Sequence, residues 1–245
     1  MLTLYHFWSS TCSKKVRIAL AEKNAEWESN HVDIVKRHEN LEPEYVKLNP
    51  NGIVPTLIHD NKVIIESNII IDYLDDILPG SPLKPGDPYQ RAQMRLWMDA
   101  AELQVHKNIN IISYNKRHVK RANQLFTKDE QMEILMRYPN LDKRASMIKR
   151  LENGVSAEEE QFAEARLADV MDNMEKTLEE RTWLAGDTYS LADIAIVPFI
   201  ERFDANGLPK LVDFDKRPCV GDWWQRIKSR AAYQTAYSFQ DPNAA

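Results

Sequence analysis

The chain has 245 residues, enough for one large domain or two modest ones with a buried core. Hydrophobic residues make up 43% of it and charged residues 28%, as in ordinary globular proteins. The formal net charge of -5 argues against nucleic acid as a partner, because a phosphate-binding surface needs a clear excess of basic residues.

The sequence carries no membrane or export pattern. No stretch approaches the ~20 apolar residues needed to span a bilayer, and the N-terminus lacks the basic start and long apolar run of a secretory signal. The two cysteines, Cys12 and Cys219, lie far apart and do not make a disulfide framework, which favours a reducing compartment. We therefore expect a cytoplasmic protein without a membrane partner.

The first third of the chain alternates strand and helix patterns. The predicted elements are strand 2–7, helix 13–24, strand 31–35, helix 42–47, strands 54–59 and 62–65, and helix 67–78. In the first helix, Lys14, Lys15 and Arg17 are expected to face solvent. The order βαβαββα is that of a thioredoxin-like fold, so residues 1–80 form a predicted α/β domain.

The composition changes after this domain. Residues 81–87 are dense in proline and glycine, which is typical of an interdomain linker. From Pro88 onwards apolar residues follow helical spacing, first over one long helix and then over shorter ones. Residues 88–245 therefore form a predicted all-α helical bundle. The least regular part, 114–154, is either a solvated helix–loop–helix insertion or a wall over the active site.

The loop that joins the first strand to the first helix carries the strongest chemical pattern. Residues 9–13 place hydroxyls and a thiol at a helix N-terminus, where unpaired N–H groups and a partial positive charge stabilise a thiolate. A hydroxyl here could hydrogen-bond the thiolate of a ligand, and Cys12 could itself become a thiolate. The alternative is helix capping alone, for which Thr11 and Cys12 are the favoured positions.

Two further segments indicate a site for a small peptide. Pro55 opens an apolar strand, and in a thioredoxin-like domain a cis-proline at this place turns the backbone of Val54 outward, free to pair with an extended peptide. Ser67 is predicted to cap the following helix. Together with Glu66 it would meet both the amine and the carboxylate of an amino-acid end.

These features, in this order along nearly the whole chain, resemble the cytosolic glutathione transferase superfamily. The ordered set consists of the serine/cysteine loop, Val54-Pro55, Glu66-Ser67, the linker, and a capping box from Ser190 to Asp193 whose role is structural. The resemblance implies glutathione as co-substrate, no metal, and a homodimer that acts on a small hydrophobic electrophile in detoxification.

Within the superfamily, the loop Ser-Thr-Cys-Ser at 10–13 and the helix after it are similar to the zeta class, which includes maleylacetoacetate isomerases. Matching the cysteine of the class motif to Cys12 places the catalytic serine at Ser10, with Thr11 in place of a second serine. Residues 112–139 are more similar to bacterial tetrachlorohydroquinone reductive dehalogenases. Bacterial β-etherase-like transferases also have a long helical half, and their matching loop draws attention to Ser13.

The resemblance also implies a set of site residues. The catalytic candidates are Ser10, Cys12 and Ser13. The predicted glutathione-binding residues are Thr11, Lys36, His38, Ile53, Val54, Pro55, Glu66 and Ser67. The predicted second-substrate pocket consists of Trp8, Asn108, Ile112 and Phe203. Some transferase classes use an N-terminal tyrosine, but Tyr5 is expected to pack in the core.

Three functions follow as alternatives. In the first, Ser10 donates a hydrogen bond to the glutathione thiolate, which attacks an aromatic or unsaturated electrophile. In the second, Cys12 forms a mixed disulfide with glutathione during dehalogenation, ether cleavage or isomerisation. In the third, the protein is a non-catalytic relative that uses its surface for partners, because a fold alone does not prove activity.

Overall fold

The computed structural model describes residues 1–242; residues 243–245, the end of the predicted helical domain, lie outside the described residues. An N-terminal half built on a four-stranded sheet precedes a half made of helices. The predicted architecture, a thioredoxin-like α/β domain followed by an all-α bundle, is confirmed. No helix in the described chain is long and apolar enough to cross a membrane.

The N-terminal half has the predicted order of strands and helices. Its elements are β1 (Leu2–His6), α1 (Thr11–Glu22), β2 (Glu28–His31), a 3₁₀ turn (Glu39–Leu41), α2 (Pro43–Leu48), β3 (Thr56–His59), β4 (Lys62–Ile65) and α3 (Ser67–Ile77). The sheet order is β2-β1-β3-β4, with β1 and β2 parallel and the other neighbours antiparallel. Because Tyr5 pairs with Thr56, the loop after β1 lies beside the residues that precede β3.

The second strand differs from the prediction. It covers Glu28–His31 instead of 31–35, and it forms the edge of the sheet beside β1. The apolar residues in 32–35 that suggested a strand pack with Phe7 and Val54 in a small cluster. An edge strand buries little, so its own polar sequence shows no alternation that a pattern could detect.

The C-terminal half consists of helices joined by turns and by two longer loops, at 181–190 and 206–217. Its helices are α4 (Pro88–Ala100), α5 (Lys107–Ser113), α6 (Val119–Leu125), α7 (Lys128–Met136), α8 (Leu141–Asn153), α9 (Ala157–Glu180), α10 (Leu191–Ala205), α11 (Pro218–Lys228) and α12 (Ala231–Tyr237). Two π-helical turns, Ala101–His106 and Tyr114–His118, connect α4 to α5 and α5 to α6. A helical path therefore runs from Pro88 to Leu125 and extends the predicted long helix into the segment 114–154.

The two halves share a core. The main hydrophobic cluster extends from β1, α1 and α3 into α4, α5, α9, α10 and α11. No helix or strand covers the stretch between Ile77 and Pro88, which contains the predicted linker 81–87. The domain boundaries at 80 and 88 stay a prediction, since the shared core does not define them.

Helix α1 lies inside this shared core. The prediction that Lys14, Lys15 and Arg17 face solvent is wrong, because these residues are only 8%, 0% and 1% exposed. Helices α10 and α12 cover the face of α1 that carries them. Arg17 donates to the backbone oxygen of Ala236 at 3.0 Å, and Lys14 forms an ion pair with Glu201. Partners from the far end of the chain thus satisfy the buried charges.

The segment 114–154 is helical and leans on the N-terminal half. Leu135 in α7 is buried against Leu41 of the 3₁₀ turn. At the rim of this contact, the guanidinium of Arg137 lies 2.8 Å from the carboxylate of Glu42. These contacts place α6, α7 and α8 opposite the loop that precedes α1, so that a space is enclosed between the two halves.

Candidate active site

A cavity of about 710 Å³ lies between the two halves. We call the part lined by residues 9–12, 52–55 and 66–67 the sheet end. We call the part lined by side chains between Glu102 and Leu151, together with Arg202, the helical wall. The sheet end is assembled at the carboxyl end of β1 and the amino ends of β3 and α3, which the sheet register brings together.

Ser10 is the N-cap of α1 and also lines the sheet end. Its hydroxyl oxygen accepts a hydrogen bond from the backbone N–H of Ser13 at 3.2 Å. The prediction that Thr11 or Cys12 caps the helix is therefore wrong, because α1 already begins at Thr11. A serine hydroxyl has a donor besides its acceptor lone pairs. Capping therefore leaves the proton of Ser10 free to be donated into the cavity.

The other two catalytic candidates differ in position. Ser13 is fully buried, and its hydroxyl oxygen accepts from the backbone N–H of Phe7 at 3.4 Å. It does not line the cavity, whereas Thr11 and Cys12 do. A ligand in the cavity therefore meets Ser10 and Cys12 but not Ser13.

The strand entry at Pro55 has the predicted form. The Val54–Pro55 peptide bond is cis, and Ile53, Val54 and Pro55 line the sheet end. The carbonyl oxygen of Ile53 accepts from the hydroxyl of Tyr45 at 2.7 Å and from the side-chain amide of Asn49 at 2.9 Å. These bonds hold the loop from behind, which leaves the cavity side of the backbone for a ligand.

Glu66 and Ser67 open helix α3 toward the same space. Glu66 occupies the N-cap position with φ 68°, so Ser67 is the first helical residue and not the predicted cap. The carboxylate of Glu66 accepts from the side-chain amide of Asn51 at 3.1 Å. A carboxylate and the first N–H groups of a helix thus face one ligand space, a combination suited to an ammonium and a carboxylate.

The two candidates in the loop after β2 are separated. His38 lines the cavity, and in residues 1–242 neither of its ring nitrogens has a hydrogen-bond partner. Burial, followed by the charge of Arg137, lowers the pKa of His38, so the ring is neutral and offers one N–H. Lys36 is exposed and does not line the cavity; its backbone N–H donates to Asp33 at 2.8 Å.

The four residues predicted for the second-substrate pocket do not line the cavity. Ile112 and Phe203 belong to the main core. The side-chain amide of Asn108 donates to the backbone oxygen of Gln104 at 2.6 Å, and Trp8 packs on the ring of Phe7. Asn108, Ile112 and Phe203 are buried on their helices, whereas Trp8 lies in the loop after β1, so none of the four is placed to contact a ligand in the cavity. Separately, Tyr5 packs beside Tyr45 at 6.0 Å between ring centroids.

An acid–histidine pair that the sequence analysis missed faces Cys12. The sulfur of Cys12 lies 3.9 Å from Nε2 and 4.0 Å from Nδ1 of His106. Nδ1 of His106 lies 2.8 Å from the carboxylate of Glu102, and the ammonium of Lys15 lies 3.6 Å from the same carboxylate. Both nitrogens are almost equally distant from the sulfur, so the contact combines the charge of the ring with a long hydrogen bond.

These contacts change the charge of the thiol. Burial raises the pKa of Cys12, but the charge and hydrogen bond of His106, together with the charge of Lys15, outweigh it and lower the pKa to about 7. The Cys12 thiolate in turn raises the pKa of His106 to about 10, with Glu102 adding to the effect. The pair therefore favours a thiolate beside an imidazolium near neutral pH.

The only sequence signal for this pair was its spacing. Glu102 and His106 stand four residues apart, which puts them on one face of a helix, but the pattern does not show that this face meets α1. The ligand atoms of Cys12, Glu102 and His106 all lie within 4.8 Å of one another, as a metal would require. The Lys15 ammonium 3.6 Å from Glu102 disfavours a second cation there. The absence of a metal stays a prediction.

Comparison with known proteins connects this geometry to a family. The family model of the glutathione S-transferase N-terminal domain matches residues 1–76, and that of the C-terminal domain matches residues 130–231. Tetrachloro-p-hydroquinone reductive dehalogenase of Sphingobium chlorophenolicum is 29% identical over 242 residues, which cover 96% of this chain and 95% of that protein.

One further protein agrees, both in sequence and in structure. Protein LigF of Sphingobium sp. strain SYK-6 is 30% identical over 247 residues, covering 96% of this chain and 93% of LigF. The crystal structure of β-etherase LigF from that strain has a TM-score of 0.88 and covers 97% of this chain and 98% of its own, at 29% identity. The predicted resemblance is confirmed, and the chain belongs to the glutathione S-transferase family.

Proposed function

We propose that the protein binds reduced glutathione at the sheet end and promotes attack of its thiolate on a hydrophobic electrophile held against the helical wall. The observation that supports this most is that one cavity combines Ser10, the Val54–Pro55 edge and Glu66–Ser67 with an opposite side that offers apolar and basic side chains. Glutathione S-transferase family membership supports the choice of thiol.

Each part of glutathione would meet a fitting group. The γ-glutamyl ammonium would pair with Glu66, and its carboxylate would bind the N–H groups at Ser67. The cysteinyl backbone would pair with Val54 as an added strand. The glycyl carboxylate would lie beside His38, whose ring lines the cavity while both of its nitrogens are buried. Lys36, the other candidate for this carboxylate, is left out because it does not line the cavity.

Ser10 would stabilise the attacking thiolate. Its hydroxyl proton is not used by the helix cap, so it can be donated to the glutathione sulfur. The positive end of α1 acts on the same anion. Both groups are fixed before the ligand binds, so they stabilise negative charge without reorganisation, which lowers the pKa of the glutathione thiol.

Calorimetric titration tests the proposal. Wild-type protein is expected to bind reduced glutathione with micromolar to millimolar affinity and to release the proton of its thiol on binding. S-methylglutathione, which has no ionisable thiol, is expected to bind without releasing a proton. Conjugation of 1-chloro-2,4-dinitrobenzene then reports on turnover. No binding of either peptide would overturn the proposal and favour the non-catalytic alternative. A cytoplasmic homodimer is part of the proposal on family resemblance alone, and sedimentation would test its oligomeric state.

A second candidate function is favoured by the contact between Cys12 and His106. A thiolate at Cys12 could attack the sulfur of a glutathione–substrate conjugate. The bond between sulfur and the substrate carbon would break, the carbon would take up a proton, and Cys12 would be left in a disulfide with glutathione. A second glutathione thiolate would then release oxidised glutathione and restore Cys12. Two glutathione molecules supply the two electrons that reduce the substrate.

Replacement of Cys12 by serine separates the two candidates. The variant is expected to bind glutathione and to conjugate 1-chloro-2,4-dinitrobenzene if Ser10 alone carries the reaction. In the thiol-exchange function, wild-type protein would accumulate a glutathionylated Cys12 that mass spectrometry detects during turnover, and the variant would lose reductive turnover. Absence of the adduct together with unchanged reductive turnover in the variant would exclude a role for Cys12.

A further inference from the structure

The basic side chains of the helical wall outnumber the acidic side chains that line the cavity. The basic residues that line the cavity are Lys107, Arg117, Arg121, Lys143, Arg150 and Arg202. Among the described residues 1–242, only two acidic residues line it, Glu66 and Glu102, and Glu102 is already bonded to His106. This local excess occurs in a chain whose formal net charge is -5.

Four of these cations converge on one place, and we call Arg117, Arg121, Arg150 and Arg202 the arginine cluster. They come from the second π turn, α6, α8 and α10, and all line the cavity. His118 lies among them. Burial by the surrounding protein is the largest cause that lowers the pKa of His118, and the charges of all four arginines lower it further. The ring is reached by solvent through the cavity and is nevertheless surrounded by protein and positive charge.

The cluster has little internal compensation. Within residues 1–242, no ion pair joins Arg117, Arg121 or Arg150 to an acidic side chain. The nearby acids on α9 and α10 form their ion pairs and hydrogen bonds outside the cluster: Glu160 contacts Lys116 and Asn115, Glu159 closes the capping box with Ser156, and Glu201 pairs with Lys14. Two of them act on the cluster only through their charge. The charge of Arg150 helps to lower the pKa of Glu159, and Glu201 partly offsets the burial that lowers the pKa of Arg202. Arg202 is fixed by donating to the backbone oxygen of Ser9 at 2.8 Å, close to the loop that holds Ser10.

Converging guanidinium groups are unfavourable unless an anion joins them, because like charges repel more strongly in a partly desolvated cavity than in water. A planar guanidinium matches a carboxylate in two parallel hydrogen bonds. Next to the cluster, Leu125, Phe126 and Leu151 give the same wall an apolar surface. The helical wall therefore places an apolar surface beside a group of cations that suits an anion.

We infer that the second substrate is an aromatic or similarly hydrophobic electrophile that carries a carboxylate, and that the arginine cluster binds this carboxylate. The inference rests on the proposed function and names its substrate class. The electrophilic carbon would lie between Ser10 and the apolar surface, with the charged group directed away from the glutathione sulfur. Arg202, which is bonded to Ser9, links the two places.

The first test measures binding without glutathione, so that it does not depend on the transferase reaction. Calorimetry compares 3,5-dinitrobenzoate with the uncharged 3,5-dinitrobenzamide on wild type, Arg121→Gln and Arg150→Gln. Wild type is expected to bind the benzoate at least ~10-fold more tightly than the amide. Each variant is expected to lose ~10- to 100-fold in benzoate affinity and less than ~3-fold in amide affinity, the usual effect of a charge-assisted hydrogen bond.

The matched control is Arg166→Gln, which removes the same charge from an exposed position on α9 outside the cavity. It is expected to leave both affinities unchanged, and circular dichroism checks that all variants fold. Equal binding of benzoate and amide by wild type would overturn the inference. So would loss of benzoate affinity in the control to the same extent, which would reveal only a diffuse charge effect.

The second test measures turnover with glutathione, using 4-chloro-3,5-dinitrobenzoate and its amide. The cluster variants are expected to lower kcat/KM for the benzoate ~10- to 100-fold while the Kd of reduced glutathione stays within ~2-fold. A weaker glutathione affinity with unchanged benzoate preference would overturn the inference and assign the cluster to a glutathione carboxylate. If glutathione does not bind but the arginine-dependent benzoate binding remains, the proposed function fails, whereas the assignment of the arginine cluster as a carboxylate site is supported.

Discussion

The two sides of the cavity are built in different ways. The sheet end comes from three short segments that the β1–β3 register and the start of α3 bring together, and much of what it offers is backbone: a cis X–Pro edge and helix N-termini. The helical wall comes from side chains on α5 to α8 and α10. Backbone groups suit a ligand that never changes, whereas side chains can be exchanged without altering the fold.

This difference suggests a division of labour. Changes at the sheet end should affect every reaction of the protein to the same extent, because they act on the common thiol. Changes in the helical wall should affect one substrate more than another. The contact between Cys12 and His106 crosses the boundary, since the thiol belongs to α1 and the imidazole to the first π turn. The predictions below test or break this division.

The largest effect is expected for Ser10→Gly. Loss of one preorganised donor should lower kcat/KM about 100- to 1,000-fold for charged and uncharged electrophiles alike. Glycine is chosen because a glycine N-cap costs only a few tenths of a kcal/mol, so the fold should survive. Steady-state kinetics measure the effect, with Ser156→Gly, at the N-cap serine of α9 outside the cavity, as control; a loss confined to one substrate would contradict the division.

The next largest effect is expected where the helical wall packs against the N-terminal half. Leu41 is 4% exposed and packs against Leu135 of α7, so Leu41→Ala should lower the free energy of unfolding by about 2–4 kcal/mol. Because the wall leans on this residue, the change should also weaken substrate binding. Urea unfolding provides the measurement. Leu141→Ala, at a leucine that is 70% exposed, should lower the free energy of unfolding far less. Equal losses in the two variants would show that Leu41 does not support the helical wall.

A smaller effect is expected for His106→Gln. Removal of the imidazolium leaves burial to act on Cys12, so its pKa should rise from about 7 to at least the ordinary 9.0. The thiolate is present above the pKa and lost below it, so alkylation by iodoacetamide at pH 7 should slow about tenfold or more. His59→Gln, a ring bonded to Tyr73 outside the cavity, should leave the pH profile unchanged. An unshifted profile in His106→Gln would show that His106 does not hold the thiolate.

The smallest effect is expected for Glu66→Gln. An isosteric amide keeps the shape but loses the charge, so the Kd of reduced glutathione should rise about tenfold, which corresponds to about 1.4 kcal/mol. Substrate preference should not change. Calorimetry gives the affinity, and Glu44→Gln, at an exposed acid paired with Lys47, provides the control. A changed substrate preference would argue against separate roles for the two sides.

The sheet end was largely predictable from the sequence because its features are local. Pro55 at the start of a strand and Glu66-Ser67 at the start of a helix can be identified within a few residues, and the structure places all three at one cavity. The N-cap at Ser10 was missed by one or two positions. Helix ends are poorly fixed by a pattern, and here the hydrogen bond to Ser13 decides.

The helical wall was not predictable for a physical reason. The predicted pocket residue Ile112 was taken from α5, which lies between the two π turns, and Phe203 was taken from α10; both lie in the core. The burial of Lys15 and Arg17 depends on partners in α10 and α12, far along the chain, which no local pattern contains. His106 has an i, i+4 acid partner, yet only the packing of the π turn against α1 gives that pair a role.

The two π turns have a consequence for how such a wall can change over time. Each π turn holds a wider backbone loop than an α-helical turn, equivalent to one inserted residue. Deletion of a single residue within Ala101–His106 would turn this segment into a regular helix and leave Lys107–Leu125 facing as they do now, because the wide turn already absorbs the extra residue. Loss of one codon from α5, which is a regular α-helix, would instead rotate the residues after it by about 100° and present different side chains to the cavity while the sheet end stayed untouched.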